Sequence, residues 1–449
     1  MLKKVLSQFS HCPLCFQELK LEPSKIHCSN CDYESFYIQD IPWLFKHPQK
    51  ELLYWKQKSQ NLNQYFLNLE NQTETERQNT QNLKTTNTRL EKLKEAYQQN
   101  RKTLQEILNP LWEKEQDSSS FPLLSETSLG QEVNAYYANI FRDWVWGEKE
   151  IQRQKELLHP YLSSQKGASL LFFGTGAGRL AWDLSQNHDF SSFISIDINP
   201  LLTLTFQKII HNEKLKLYEF PLSPLSIEQT AILHSIEKKE RKNSPSHFIY
   251  LFADGMNPPF RKQSFDTILT PWFIDIIPMP FKDFSQRVNT LLKPEGLWIN
   301  FGPLGFEKKQ VSQNFSPEEI EEALTASDFQ LLHAENKKEP YLASPYSRFQ
   351  REEVIYLFIA KKIKSSKTPK EFSPNPKWLS NFQAPIPIEP YLQEEAIKNK
   401  VQFEILAAID GQRSINDICQ LMVTHYKMTE EKAKEALLFF LSNLYKKYH

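Results

Sequence analysis

The sequence predicts an α/β protein built on a doubly wound parallel sheet, and two observations support this fold class. Between residues 169 and 301, short apolar runs typical of buried strands alternate with amphipathic stretches typical of helices. The first run, 169–173, leads directly into three closely spaced glycines and then a helical stretch. Strands that alternate with helices at this spacing form parallel sheets with helices on both faces.

The glycine loop has the spacing Gly174-x-Gly176-x-Gly178. This spacing is tighter than the G-x-G-x-x-G of a dinucleotide site, and no P-loop Lys-Ser/Thr follows it. The chain has only 11 glycines in total, so three within five residues indicate a specific role. Glycines allow the backbone to approach a ligand closely, which suits the methionine part of S-adenosylmethionine (SAM). An ordinary turn between a strand and a helix is the alternative interpretation.

Two acidic residues lie at the ends of later strands of the predicted sheet. Asp197 ends the run 193–197, 23 residues after Gly174, where a carboxylate can accept hydrogen bonds from both hydroxyls of a ribose. Asp254 follows the run 248–252, and we expect it to bind the amino group of an adenine. The two residues extend the predicted cofactor site beyond the glycines.

Four of the five cysteines form two C-x-x-C pairs near the start of the chain. Cys12 and Cys15 are separated by twelve residues from Cys28 and Cys31. Two tight turns of this kind can present four thiolates to one zinc ion, which predicts a zinc ribbon. The alternative is a redox or accidental pair of turns. The fifth cysteine, Cys419, falls on an apolar helix position and is expected in a core.

Composition limits the classes of partner. Lys and Arg total 54, as do Asp and Glu, so the chain lacks the positive charge of a typical nucleic-acid binder. The first residues hold too short an apolar run for a signal peptide, and no run of about 18 apolar residues occurs. We therefore expect a cytoplasmic protein that needs neither a membrane nor a nucleic acid. A run of lysines and arginines within 206–247 is predicted to be a solvated helix face.

The pattern along the chain predicts five segments. They are a zinc ribbon (1–48), a helical segment (49–130), the α/β domain (131–363), a polar, proline-rich linker (364–379) and a small C-terminal domain of about three helices (380–449).

The α/β domain resembles class I SAM-dependent methyltransferases and, more narrowly, the carnosine N-methyltransferase family. The matching motifs are Arg142-Asp143-Trp144, Gly174-x-Gly176-x-Gly178-Arg179-Leu-Ala181, Phe273-Ile-Asp275, Leu292-Lys-Pro-x-Gly-x-Trp-Ile-Asn-x-Gly-Pro-Leu304 and Phe315-Ser-Pro-Glu-Glu-Ile320. The resemblance covers about residues 131–362. It implies a Rossmann-like methyltransferase sheet with SAM as cofactor, and it adds Arg142 and Arg179 to the glycines and the two aspartates as cofactor-binding residues.

The resemblance also implies an acceptor, namely an imidazole nitrogen of a histidine-containing dipeptide. A neutral imidazole, with a pKa of about 6.5, already carries a lone pair at neutral pH. Asp275 would accept a hydrogen bond from one ring N–H and leave the other nitrogen free to attack; a helix N-cap is the alternative role. Tyr341 matches a family tyrosine near the substrate. The family has a Tyr-His pair after Gly-Pro-Leu, where this chain has Phe306-Glu307, which places Glu307 among the expected substrate-binding residues.

Two further resemblances concern the ends of the chain. Residues 33–45 resemble the tail of zinc-ribbon segments that precede some bacterial RNA methyltransferases. Residues 401–445 resemble the winged-helix, peptide-binding domain of the pyrroloquinoline-quinone chaperone type. The leading hypothesis is thus an N-methyltransferase for a small peptide-like acceptor. The alternatives are a methyltransferase of a ribosomally made peptide or protein, or of RNA, recruited through the terminal domains.

Overall fold

The computed structural model describes residues 2–114, 132–238, 245, 247–376, 379, 383 and 385–448. The chain divides into two compact units, Met1–Pro374 and Asn375–His449. None of the described helices combines the length and the apolar character needed to cross a membrane.

The strands, in chain order, are β1 (Leu19–Leu21), β2 (Lys25–Cys28), β3 (Glu34–Ile38), β4 (Ile41–Pro42), β5 (Ser169–Phe173), β6 (Ser192–Asp197), β7 (Leu215–Glu219), β8 (Ile232–Ile236), β9 (Phe248–Phe252), β10 (Phe265–Pro271), β11 (Leu292–Phe301), β12 (Phe329–Pro340) and β13 (Glu352–Lys362).

The helices of the first unit are α1 (Leu2–Phe9), α2 (Pro48–Arg77), α3 (Lys84–Trp112), α4 (Ala138–Phe141), a π-helical turn (Arg142–Trp146), α5 (Glu148–Leu162), α6 (Arg179–Asn187), α7 (Pro200–Ile210), α8 (Phe281–Leu291), a 3₁₀ turn (Val311–Gln313) and α9 (Pro317–Ala326). Those of the second unit are α10 (Pro390–Ala407), α11 (Ile415–Tyr426) and α12 (Glu430–Tyr448).

A seven-stranded sheet with the order β12-β13-β11-β10-β5-β6-β9 forms the centre of the first unit. The five strands from β11 to β9 are parallel, and β13 and β12 extend the sheet with antiparallel pairing. The chain runs outward from β5 through β6 to β9 and then crosses to β10 and β11 on the other side. This order confirms the predicted doubly wound arrangement.

Both faces of the parallel part of the sheet are covered, which explains why a central strand such as β5 is apolar throughout. All five residues of β5 are buried. On one face the core includes side chains of α5, α6 and α7 together with α2 and α3. On the other face it includes side chains of α8, α9 and the N-terminal ribbon. Removing this much apolar surface from water is the main stabilising contribution to the fold.

The ribbon is a four-stranded antiparallel sheet with the order β1-β2-β3-β4. Apolar residues such as Leu19 and Ile26 belong to the same buried cluster as residues of β9 and β10, while Ile38 and Ile41 belong to the cluster on the other face. The ribbon therefore shares a core with the central sheet and packs as part of the first unit.

Three features differ from the sequence expectation. The hairpin of β7 and β8 lies within 206–247, where a solvated helix face is predicted. Lys238 in this region is only 8% exposed, and its ammonium group donates to the carbonyl of Ile210 and lies over the ring of Trp182. That prediction was wrong for Lys216, which lies in β7, and for Lys238. The strands β12 and β13 follow residue 301 and were not predicted from the sequence either.

Residues 364–374, predicted as the first part of the linker, belong to the first unit and pack against its other residues. Asn257 accepts a hydrogen bond from the N–H of Phe372 and donates to its carbonyl, and Phe372 packs against the core. Glu371 forms an ion pair with Lys46 of the ribbon region. We call residues 364–374 the strap.

The second unit contains three helices around a small buried core that includes Ile405, Ile418 and Cys419. Cys419 is therefore a core residue, as expected. No strand occurs among the residues of this unit that the structure describes, so the hairpin that would form a wing is not seen there. The winged-helix assignment and the peptide or protein partner of this unit stay predictions.

The glycine loop provides a stability test. A Cβ atom on Gly178 would lie 2.3 Å from the ring of Phe206, and the backbone at Gly178 has a φ of 87°. Gly178→Ala is therefore expected to lower the free energy of unfolding by about 3 kcal/mol through overpacking and left-handed strain. Gly167 has a φ of 69° but no atom within 4 Å of its Cβ position, so Gly167→Ala should cost only about 1 kcal/mol. Equal losses in denaturant titrations would contradict the overpacking argument.

Candidate active site

The predicted site residues converge on one edge of the sheet. The glycine loop follows β5, Asp197 ends β6, Asp254 follows β9, and Asp275 follows β10. Because these strands are parallel, all four lie at carboxyl ends, and β5 and β10 flank the point where the strand order reverses. Ligands of open α/β sheets bind in the crevice at this point.

The glycine loop forms an open cradle. Gly174 and Gly176 have φ values of 67° and 57°, a conformation that L side chains rarely adopt. A Cβ atom on Gly176 would meet only the carbonyl oxygen of Gly174, at 4.0 Å. The buried hydroxyl of Thr175 has no hydrogen-bond partner. An open space beside an unpaired polar atom fits a bound ligand, as expected for the methionine end of SAM.

The Arg142-Asp143-Trp144 motif holds this loop in place. The indole N–H of Trp144 donates to the carbonyl of Ala177 at 2.7 Å. Arg179 donates to the carbonyl of Asp143 at 3.3 Å, and its guanidinium pairs with Asp183 and Glu148. Arg179 thus has three protein partners, and its predicted contact with the cofactor stays a prediction.

Arg142 is buried and lies between acidic groups and an aromatic ring. Its Nε donates to Asp143 at 2.8 Å, Glu150 lies 3.7 Å from its Nη1, and its Cζ is 5.9 Å from the ring centre of Tyr341. Burial raises the pKa of Glu150 to about 7. The motif therefore connects the glycine loop to Tyr341, and the predicted role of Arg142 in cofactor binding is not tested by these contacts.

Asp197 and Asp254 share one electrostatic property. Asp197 accepts hydrogen bonds from the N–H groups of Gly176 and Asn199, at 2.7 and 2.8 Å. Asp254 accepts from the N–H of Met256 and the amide of Asn257. Burial raises the pKa of each carboxyl to about 6, and these hydrogen bonds oppose the rise. Both carboxylates are consequently ionised at neutral pH in a poorly solvated edge of the crevice.

The chain turns sharply after β10 and places Phe273 over two glycines. Trp272 has a φ of 52°, which is uncommon for a bulky residue and marks local strain. The turn brings the ring of Phe273 within 3.0 Å of the Cβ position of Gly174 and 2.7 Å of that of Gly255. A side chain at Gly255 would collide with this ring, and one at Gly174 would be in tight contact with it. Phe273 thus joins the loops that follow β5, β9 and β10.

Asp275 lies at the far end of this turn and is 8% exposed. Burial raises the pKa of its carboxyl, while the N–H groups of Asp275 and Gly305 and the charge of Lys308 oppose the rise. A Cβ atom on Gly305 would lie 3.2 Å from the Asp275 Oδ2. Asp275 is thus a buried carboxyl that the loop after β11 contacts closely. The alternative role as a helix N-cap is wrong, since Pro280 occupies that position before α8.

Tyr341 forms the aromatic wall of the crevice. Its ring stacks on Trp272 with centroids 4.3 Å apart, and the guanidinium of Arg351 lies 5.0 Å from the Tyr341 centroid. The indole N–H of Trp272 is buried without a hydrogen-bond partner. An unpaired donor in a crevice is costly unless a ligand satisfies it.

Two residues of the crevice were missed from the sequence. The Lys308 ammonium donates to the backbone carbonyls of Asp275 and Ile277, and its burial lowers the pKa of the amine. Tyr136 has a left-handed φ of 61°, and the charges of Tyr341, Asp275 and Asp197 contribute to its raised pKa after burial itself. A lysine in a loop and a tyrosine before a helix give no periodic signal that would have singled them out.

Of the two residues that replace the family's Tyr-His pair, Phe306 is buried and Glu307 is exposed. The ring of Phe306 is buried and packs against Phe281 and Phe315. Glu307 is exposed. Its predicted contact with the substrate therefore stays a prediction, which requires the Glu307 side chain to turn towards the acceptor.

The four N-terminal cysteines form a second candidate site. The ligand sulfurs of Cys12, Cys15, Cys28 and Cys31 all lie within 4.8 Å of one another. Cys12 and Cys31 are 3.6 Å apart, and Cys15 and Cys28 are 3.5 Å apart. A tetrahedral zinc ion with Zn–S bonds of about 2.3 Å requires sulfurs about 3.8 Å apart. The cluster fits the predicted structural zinc site.

The doubly wound sheet and the crevice at its reversal point define a Rossmann-like methyltransferase fold. The model of the family described as carnosine N-methyltransferase matches residues 124–364, more than half of the chain. The chain belongs to the carnosine N-methyltransferase family.

Individual relatives agree with this assignment. A carnosine N-methyltransferase of Dictyostelium discoideum is 26% identical over 189 residues, which cover 39% of this chain and 40% of that protein. That of Rattus norvegicus is 27% identical over 210 residues, which cover 43% and 51%. The chain thus spans about half the length of the curated relatives it matches.

Solved structures of methyltransferases are also similar to this chain. A SAM-dependent methyltransferase from Methanosarcina mazei has 17% identity and a TM-score of 0.31, over 46% of this chain and 97% of that one. Haemonchus contortus phosphoethanolamine N-methyltransferase 2, in complex with phosphomonomethylethanolamine and S-adenosylhomocysteine, has 15% identity and a TM-score of 0.33, over 54% and 62%.

The anchoring of the glycine loop can be tested with two tryptophans. Trp144→Phe removes the hydrogen bond to Ala177, so we expect about 1–2 kcal/mol of lost stability beyond the lost packing. Trp55 is equally buried, but its indole N–H has no partner. Trp55→Phe is therefore a matched control that should show only the packing loss. Identical unfolding free energies for the two variants would show that the hydrogen bond does not anchor the loop.

Proposed function

We propose that this chain is a SAM-dependent N-methyltransferase that methylates a nitrogen, of the imidazole type, on a small histidine-containing peptide-like acceptor. The observation that carries the proposal is the buried Asp275 at the reversal point of the sheet, across the crevice from the glycine cradle, in a member of the carnosine N-methyltransferase family.

The donor side of the crevice fits SAM. When bound, SAM supplies an electrophilic methyl group on a sulfonium. The open space beside Gly176 would take its methionine part, Asp197 would accept hydrogen bonds from the ribose hydroxyls, and Asp254 would accept one from the adenine amino group. The stacked rings of Trp272 and Tyr341 provide π faces that attract a cation.

Asp275 provides the acceptor side. Its carboxylate accepts the N–H of one imidazole nitrogen and so turns the lone pair of the other towards the methyl group. Transfer of the methyl group to the attacking nitrogen would leave the electron pair of the broken bond on the sulfur and positive charge on the imidazole ring. Asp275 stabilises this charge and is the group to which the ring N–H proton can pass. The raised pKa of Asp275 makes it a better proton acceptor than an exposed aspartate.

A pH dependence of cofactor binding follows from Asp197 and Asp254. Ribose and adenine donors favour the ionised carboxylates, whose pKa values are about 6 in the free protein. The affinity for SAM should therefore be constant above pH 7 and fall below pH 6, by at most about tenfold per pH unit for each group. Equilibrium dialysis with labelled SAM measures it, and Asp197→Asn should flatten the profile.

The contribution of these two carboxyls to the free energy of unfolding should fall as the pH rises through about 6, whereas the affinity for SAM should increase. Because the folded pKa values lie above the ordinary value of 3.8, these carboxyls favour the folded state at acidic pH, and this contribution is lost as the pH rises through about 6. Loss of SAM binding at low pH would therefore not be caused by unfolding through these groups. Affinity that is independent of pH between 5 and 8 would contradict their assigned role.

Substitution of Asp275 tests the acceptor chemistry. Asp275→Asn keeps the size of the side chain but removes its charge, so kcat/KM for a histidine-containing dipeptide should fall by about 10²-fold or more. The Kd for SAM should stay within about twofold, since the donor residues are unchanged. Asp266 lies at the opposite end of β10, paired with Lys293, and Asp266→Asn serves as the matched control with nearly normal kcat.

Assays with several candidate acceptors test the proposed substrate class. Purified protein with labelled SAM should methylate carnosine or another histidine-containing dipeptide, and mass spectrometry of the product locates the methyl group. Phe306→Tyr combined with Glu307→His restores the family pair and should raise activity on carnosine itself. Methylation of only a protein, a ribosomal peptide or RNA would overturn the proposed acceptor, and absence of SAM binding would overturn the proposed activity.

A further inference from the structure

The segment that carries Asp254 is held at both ends by the N-terminal ribbon. This segment, which we call the adenine loop, runs from Phe252 at the end of β9 to Arg261. It lies outside regular secondary structure for most of its length. Its geometry therefore depends on contacts with other parts of the chain.

The first end of the adenine loop is bonded to the ribbon residues after β4. The N–H of Leu44 donates to the carbonyl of Phe252 at 2.8 Å. Trp43 and Phe252 form an isolated parallel bridge, and their ring centroids are 4.9 Å apart. Trp43 is completely buried, so this contact excludes water.

The second end is bonded to the residues just before the first cysteine pair. Ser10 and Phe260 form an antiparallel bridge. The N–H of His11 donates to the carbonyl of Pro259 at 3.0 Å, and the N–H of Arg261 donates to the carbonyl of Phe9 at 2.8 Å. The Arg261 side chain adds a bond from its Nε to the Ser10 carbonyl. Four hydrogen bonds in all thus tie the two ends of the adenine loop to the ribbon.

Both anchors are linked to the cysteine cluster. His11 immediately precedes Cys12, one of the four candidate ligands. On the other side, the N–H of Cys28 donates to the carbonyl of Tyr33, whose hydroxyl donates to the carbonyl of Phe45, the residue after Leu44. Small zinc-binding segments owe much of their folding free energy to the metal. Loss of the metal would therefore weaken both anchors.

We propose that the metal-loaded ribbon is a positioning element of the cofactor site, which holds the adenine loop so that Asp254 is presented to SAM. This inference rests on the proposed binding of SAM. It gives the ribbon a role that the family match over residues 124–364 does not cover. The ribbon residues do not touch the reacting atoms and act only through the shape of the loop.

The test compares the Kd for SAM of the full chain with and without metal. Zinc content is measured first, and calorimetry then gives the Kd for the metal-loaded protein, the chelator-treated protein and Cys28→Ser. Metal loss or Cys28→Ser should raise the Kd about tenfold or more. Cys419→Ser removes the cysteine outside the cluster and is the matched control with unchanged Kd and zinc content. Hydrogen exchange should show faster exchange in residues 252–261 on metal loss, with the second unit unchanged.

A double-mutant cycle separates positioning from a general loss of stability. In Asp254→Asn the binding of SAM no longer depends on the carboxylate of the adenine loop. Metal loss should therefore change the Kd for SAM much less than in the original chain. Arg261→Met keeps all four cysteines but removes the bond to Ser10, and it should raise the Kd about threefold. This variant decides the question if Cys28→Ser does not fold.

The outcomes distinguish the two proposals. Metal-loaded protein that does not bind SAM overturns the proposed function. SAM binding with equal Kd in the presence and absence of metal, or an equal metal effect in Asp254→Asn, overturns the positioning role while the proposed function stands.

Discussion

The packing of one aromatic ring organises the crevice. Phe273 lies so close to Gly255 that no space remains for a Cβ atom there, and a Cβ atom on Gly174 would be in tight contact with the same ring. The ring can reach this position because the backbone at Trp272 adopts a left-handed conformation at the end of β10. The glycine cradle, the adenine loop and the turn towards Asp275 are therefore parts of one packed unit. Strain of this kind persists only where the surrounding structure enforces it.

Burial of carboxyl groups is the second constraint on the site. Asp197, Asp254 and Asp275 all lie in poorly solvated surroundings that raise their pKa values, and backbone N–H groups compensate part of the desolvation. Isolated buried charges would destabilise the fold, which explains why each carboxylate has backbone donors nearby. The same environment strengthens any hydrogen bond that a cofactor or an acceptor makes to these groups.

Sequence reasoning reached the features that have a local signature. Apolar runs such as residues 169–173 predict the parallel strands, and cysteine spacing predicts the cluster of four sulfurs. The hairpin of β7 and β8 and the partners of Asp275 depend on contacts between distant parts of the chain, which periodicity does not encode. Lys308 reaches Asp275 through a loop after β11, and Phe306 turns into the core because Phe281 and Phe315 surround it. Tertiary packing decided these positions.

The strap has a consequence for how the protein is made. The side chain of Asn257 in the adenine loop forms hydrogen bonds with both the N–H and the carbonyl of Phe372. The carbonyls of Phe9 and Ser10 accept hydrogen bonds from Arg261 at the other end of the same loop. Phe9 and Phe372 are 363 positions apart in the sequence, and both form hydrogen bonds with this one loop. Contacts of such long sequence separation form late because the intervening chain must be ordered first. During synthesis, the ribbon can assemble early, whereas this edge of the crevice acquires its final shape only after residue 372 has been translated.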